Sequence, residues 1–180
     1  MYKISNNPTS IQSKEDISNA FIELLNNRSY EDISISLICK KALITRQTYY
    51  RNFKNKSDIL RYILDNIGNN FIFNYKIFNN NVSEIINNYF EYLLNYKKIL
   101  KIIQKNELEY ILKDNIKNML SCIDSSHYKI YDNIDNEFIF DFIISTLVSV
   151  LTLWVKHDFK ENPKEVSNMT LLFLKGILDS

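Results

Sequence analysis

Two short runs of helical spacing lie almost end to end between Ser34 and Phe53, in the stretch SISLICKKALITRQTYYRNF. In the first, Ile35, Ile38 and Cys39 share one face, with Ala42 a turn further on. In the second, Tyr49, Tyr50 and Phe53 recur at i, i+1 and i+4. Ser34 is placed to cap the first run and Thr45 the second, because a hydroxyl oxygen there accepts from the free N–H groups of a first helical turn. Two helices joined by three or four residues make a helix-turn-helix, whose second helix enters the major groove of DNA.

The charge pattern agrees with that plan. From Lys40 to Lys56 there are six cations (Lys40, Lys41, Arg46, Arg51, Lys54 and Lys56) and no Asp or Glu. Thr45, Gln47, Thr48 and Asn52 lie among them and can bond base edges or phosphates. Tyr49 and Tyr50 add hydroxyls on rigid rings. Cations that hold phosphates, with short polar side chains that read the groove, are the mixture a DNA-binding surface needs.

The stretch ICKKALITRQTYYRNFKNKSDIL resembles the DNA-binding signature of the TetR family of bacterial regulators, roughly I-A-x-x-A-G-V-S-x-x-T-(F/L)-Y-x-H-F-x-x-K-x-x-L. Ile38, Ala42, Ile44, Thr45, Thr48, Tyr49, Tyr50, Phe53, Lys56 and Ile59 match in kind. The motif resemblance runs from about Ile17 to Leu64; beyond it the chain matches in helical character and length. Two positions depart from the pattern. Leu43 replaces the turn glycine, which implies either another turn geometry or strain, since glycine relieves a left-handed position. Asn52 replaces the histidine and keeps a donor for phosphate without a charge.

The resemblance implies an all-α protein. A three-helix head (residues 1–56) would bind DNA, and a long fourth helix would join it to an all-helical body (residues 57–180) for ligand binding and dimerisation. The expected partners are double-stranded DNA with a palindromic operator and a second copy of the chain, docked through the last two helices. A small-molecule effector is possible within the body. The expected output is repression relieved by that ligand; the alternative is a co-regulator that works by binding another regulatory protein. Base contacts are expected from Thr45, Arg46, Gln47 and Thr48, and phosphate contacts from Ser34, Tyr50, Asn52 and Lys56. Tyr49 is placed either at the DNA or in the core.

Composition supports the class. A hydrophobic share of 46% suits a packed chain, and two Gly and two Pro in 180 residues are few breakers, which favours helices. Up to Arg61 there are ten cations and six acids, a balance of +4; the rest carries twelve cations and fifteen acids, a balance of −3. A basic head on a mildly acidic body suits DNA binding joined to another task. Two cysteines make no disulfide framework, and MYKISNNPTS lacks a signal core, so a cytoplasmic setting is expected.

Helices are predicted from the 3.6-residue spacing at Ser10–Asn27, from Asn55 through Phe71, at Val82–Asn95, Lys97–Gln104, Asn106–Ser121 and Phe138–Val155, and from Pro163 to about Leu178. Residues 1–9 read as a mobile tail with Lys3 its one cation, Asn79-Asn80-Asn81 as a break, and Cys122–Asn136 as a loop holding His127. Asn55 with Asp58, and Asn162-Pro163-Lys164-Glu165, read as start signals. Phe138–Val155 is long and apolar enough to raise a membrane span. Asp141, Ser145, Ser149 and Thr152 interrupt it along one stripe, so a buried helix and no membrane is the reading. Tyr89, Phe90, Tyr110 and Phe140 suit either a pocket lining or plain core. No catalytic constellation, metal spacing or phosphate loop is present in the sequence, so no enzyme, cofactor or metal is expected.

Overall fold

Pro8 opens the first helix, α1 (Pro8–Leu25), with Asn7 as its cap: the Asn7 side chain accepts from the Thr9 N–H at 3.0 Å. The expected start at Ser10 is therefore two residues late. Proline needs no N–H partner at a first helical position and its fixed φ suits the turn. The computed structural model describes residues 2, 7–75, 81–121 and 136–178, with backbone alone for 136 and 176–178. The expectations for Lys3, for Asn79 and Asn80, and for the loop with Cys122 and His127 fall outside the described residues.

Every regular element among the described residues is helical. After α1 come α2 (Ile35–Lys41), α3 (Arg46–Asn52), α4 (Lys56–Tyr75), α5 (Val82–Leu93), α6 (Lys97–Lys105), α7 (Glu109–Leu120), α8 (Asn136–Lys156) and α9 (Pro163–Leu178). A 3-10 turn, Leu94–Tyr96, ends α5 before the expected Asn95. The chain divides into two compact units, Met1–Asn66 and Ile67–Ser180, the division falling inside α4.

In the first unit α1 packs on α2 and α3. Ile17, Phe21, Ile33, Ile38, Tyr49, Phe53, Ile59 and Leu60 form its core, all of them almost fully enclosed. The chain start is docked at Tyr2, which corrects the picture of a free tail there. The Tyr2 hydroxyl donates to Asp65 at 2.8 Å and its ring meets Tyr62 edge-on at 5.3 Å. Buried Lys14 sits between these two rings, 5.6 and 5.7 Å from their centroids. Burial lowers the pKa of Lys14; the faces of two aromatic rings are the cation's compensation.

In the second unit α9 packs along α5 and α8, and α8 also meets α6 and α7. Asn162 caps α9 as predicted: Glu165 N donates to its side chain at 2.9 Å and Asn162 N to the Glu165 carboxylate at 3.2 Å. An aromatic chain runs from Tyr92 through Phe71, Tyr89 and Phe90 to Trp154 and Phe159, with neighbouring centroids 5.0 to 6.3 Å apart. Tyr89, Phe90 and Trp154 are buried, whereas Tyr110 is half exposed. Helix α8 has the length and composition to cross a membrane. Its inner face, including Ile143, Ile144, Leu147, Leu151 and Trp154, is covered by protein, and Asp141 is paired with Lys113 at 2.9 Å.

Among the described residues, three helices end in the same closed turn. At the end of α2, Ile44 N donates to Cys39 O at 3.0 Å and Leu43 N to Lys40 O at 3.4 Å. At the end of α6, Leu108 N donates to Ile103 O and Glu107 N to Gln104 O; at the end of α8, Phe159 N donates to Trp154 O and Asp158 N to Val155 O. This double bond pattern is the Schellman motif, whose turn residue is left-handed and usually glycine. Here the turn residues are Leu43, Glu107 and Asp158, at φ 55°, 55° and 57°. The left-handed turn at Glu107 explains why α7 begins at Glu109 rather than near Asn106.

Candidate nucleic-acid interface

The Ser34 hydroxyl accepts from Leu37 N at 3.2 Å and starts α2; the Thr45 hydroxyl accepts from Thr48 N at 3.1 Å and starts α3. Between them the Schellman turn at Leu43 sets the angle of α3. The Leu43 side chain is 93% exposed, so no packing holds the residue in its left-handed state; the backbone bonds do. The turn geometry normally given to glycine is kept, with strain of about 1 to 2 kcal/mol from the Cβ.

Helix α3 presents Arg46, Gln47, Tyr50 and Arg51 to solvent, with Ser34, Ser36, Lys40, Thr45 and Lys54 exposed nearby in the chain. Lys41 is paired with Glu23 at 2.6 Å. Arg46 reaches back across the turn, its Nη2 donating to Ser36 Oγ on α2. Its charge is also felt at the buried Cys39 thiol, where burial raises the pKa and Arg46 pulls it down. Thr48 is half-buried, its hydroxyl 3.0 Å from that of Thr45.

Two expected contact residues point the other way. Tyr49 is wholly buried, stacked edge-on against Tyr50 at 5.4 Å, and its hydroxyl has no hydrogen-bond partner. Burial pushes that hydroxyl above its ordinary 10.0, with Cys39 and Tyr50 adding to the push. Asn52 is 1% exposed: its Oδ1 accepts from Ser10 at 2.8 Å and its Nδ2 donates to Thr48 O at 2.9 Å. Asn52 belongs to the joint between α3 and α1, and Tyr49 to the core of the first unit, which corrects their placement at DNA. Position i and i+3 along α3 turn inward together, which is why a Tyr–Asn pair so spaced is enclosed.

Lys56 is also committed internally. Its Nζ donates to Tyr30 O at 2.6 Å and lies 4.5 Å from the Tyr30 ring centroid, while the Tyr30 hydroxyl is 3.0 Å from Ser57 Oγ. Burial lowers the pKa of Lys56, against an upward pull from Glu31 and Asp32. The expected cap of α4 is present, since Asp58 N donates to Asn55 Oδ1 at 2.9 Å. The return bond comes from Lys54 N to Asp58 Oδ2 at 3.1 Å, one residue earlier than a standard box. The roles of Ser10, Ser36 and Tyr30 in holding Asn52, Arg46 and Lys56 were not read from the sequence; each acts on a residue 10 to 42 positions away.

A helix-turn-helix head followed, among the described residues, by helices alone is the architecture of the helix-turn-helix class of transcriptional regulators. Residues 80–176, over half of the chain, match the TetR-type profile described as a transcriptional regulator C-terminal region. The chain belongs to the TetR family. Over 57 residues it is 39% identical to the HTH-type dhaKLM operon transcriptional activator DhaS of Lactococcus lactis subsp. lactis (strain IL1403), a stretch that covers 32% of this chain and 30% of that protein. An HTH-type transcriptional regulator of Staphylococcus aureus (strain bovine RF122 / ET3-1) is 28% identical over 136 residues, 73% of this chain and 65% of its own length. The matched stretches thus span less than two thirds of these relatives. Among solved structures, Lin0861 from Listeria innocua superposes with a TM-score of 0.78 at 12% identity, over 96% of this chain and 94% of that one, and shows the same fold.

Proposed function

We propose that the protein is a homodimeric, cytoplasmic, DNA-binding regulator that represses from a palindromic operator and is released when a small molecule binds its second unit. The reading assigns DNA binding to residues 1–56 and regulation with dimerisation to residues 57–180. It assigns no catalytic role. The observation that carries it is the solvent face of the helix-turn-helix. Lys40, Arg51 and Lys54 stand there with no carboxylate partner among the described residues, beside the exposed Ser34, Thr45, Arg46, Gln47 and Tyr50. Exposed cations of this kind supply salt-dependent attraction to phosphates, and the polar side chains between them supply register and readout.

The dimer is supported by the outer faces of two helices that pack on each other. Phe138, Phe142 and Leu153 on α8 and Met169, Leu172 and Phe173 on α9 are all exposed. Apolar side chains gathered in this way mark an association surface, and a twofold mate would bury α8 and α9 in a four-helix contact.

The test is a gel shift of purified protein on the DNA upstream of its own gene, at two salt concentrations. A discrete, competitor-resistant complex that weakens steeply with salt is expected. No such complex on this or neighbouring promoters would sink the operator reading. A second reading, a co-regulator that activates transcription through another regulatory protein, is favoured by the resemblance to an operon activator. It predicts a pulled-down protein partner and no discrete complex with DNA alone.

A further inference from the structure

Four side chains near the start of α3 face the groove by sequence: Thr45, Arg46, Gln47 and Thr48. The first turn of a recognition helix is where base edges are met, while the preceding helix crosses the backbone. The structure separates the four. Thr45 is occupied as the α3 cap, and its hydroxyl and that of Thr48 bond each other. Arg46 is drawn off α3 and held on α2 by Ser36. Gln47, the next residue, is exposed, and its amide has no partner among the described residues.

We propose that Gln47 is the base-discriminating residue of this head, reading adenine in the major groove, while Arg46, held on α2 by Ser36, serves the phosphate backbone and carries no sequence preference. The inference rests on the DNA-binding reading above. A free primary amide offers one acceptor and two donors, the complement of adenine N6 and N7, and so favours an A·T pair. A guanidinium resting on the helix that crosses the backbone meets phosphate oxygens, which are the same at every sequence. Thr45 and Thr48 then preserve the turn that aims Gln47. Ser36 is a positioning residue that acts through Arg46.

The experiment is selection from a pool of random duplexes by wild-type protein and by the Gln47→Ala, Gln47→Glu, Arg46→Ala and Ser36→Ala variants. All four changes are at exposed positions, and helicity and melting are recorded for each. Wild-type enrichment of one sequence establishes the operator reading independently; no enrichment overturns that reading and this inference with it. Given enrichment, Gln47→Ala should lose preference at one adenine per half-site, with affinity for the selected site down about tenfold and the salt slope unchanged. Gln47→Glu should move the preference there towards cytosine, whose N4 donates to a carboxylate. Arg46→Ala should weaken binding to all sequences alike and lower the salt slope by about one per head, with base preferences intact. Ser36→Ala should leave preferences intact at the Gln47 position. A guanine preference lost in Arg46→Ala or newly gained in Ser36→Ala, with Gln47→Ala neutral, overturns the assignment.

Discussion

Ser10 Oγ donates to Asn52 Oδ1 at 2.8 Å, tying the first turn of α1 to the last residue of α3. The same Asn52 amide closes onto Thr48 O within α3. One buried side chain thus holds the recognition helix against the helix that supports it. Asn52→Ala removes both bonds and leaves a Ser10 hydroxyl without its acceptor; it should cost the head about 1 to 3 kcal/mol. Ser10→Ala should cost less, about 1 kcal/mol. In a double-mutant cycle read by urea unfolding the two losses should not add. Additive losses would show that the pair does not act as a unit.

Leu43 holds a left-handed turn with its side chain in water, so exchange for glycine removes strain and forfeits no packing. Leu43→Gly should stabilise the head by up to about 1 kcal/mol, the relief of strain being offset by the greater freedom of glycine when unfolded. Leu43→Val should destabilise it, since β-branching worsens this conformation. Thermal melting that ranks Val above Leu, or Leu above Gly, would contradict the account.

Lys56 braces the segment between α1 and α2 through Tyr30 O. Lys56→Met keeps the stem and removes the donors. It should cost about 1.5 to 3 kcal/mol of head stability and leave the salt dependence of DNA binding unchanged. Unaltered melting, with a salt slope shallower by about one per head, would instead put the ammonium on a phosphate.

Alkali should unfold the chain. Burial, first among the causes, raises the pKa of Tyr2, Tyr49, Tyr89 and Tyr92 above the ordinary 10.0. The folded state therefore keeps protons that the unfolded chain releases. Stability from these groups is complete below pH 10.0 and declines as pH rises from there through the folded values. Tyrosinate absorbance and helicity should change together in a cooperative step above pH 10.0. A smooth titration near 10.0 with helicity retained would refute this.

What the sequence made legible was local. The caps at Ser34, Thr45, Asn55 and Asn162 each act on an N–H three residues ahead, so residue type and spacing suffice. That α4 and α5 are helices followed from period alone. Tyr49 and Asn52 were harder, because a polar residue on a short helix reads equally as contact or as joint until its partner is known. For Asn52 that partner lies 42 residues away. The turns at Glu107 and Asp158 had no sign at all: a left-handed cap is read from glycine, and neither has one. Leu43 was noticed because the family signature places a glycine there.

The phenyl rings and leucines on the outer faces of α8 and α9 bear on how much protein is present, as well as on what it binds. If a second copy covers them, the folded subunit is in equilibrium with its own concentration. Diluted protein would then melt earlier than concentrated protein, by mass action alone. A cell holding few copies would hold a larger fraction as lone subunits, with Phe138 and Leu172 turned to water. Abundance would thereby become a variable of the switch, independent of any effector.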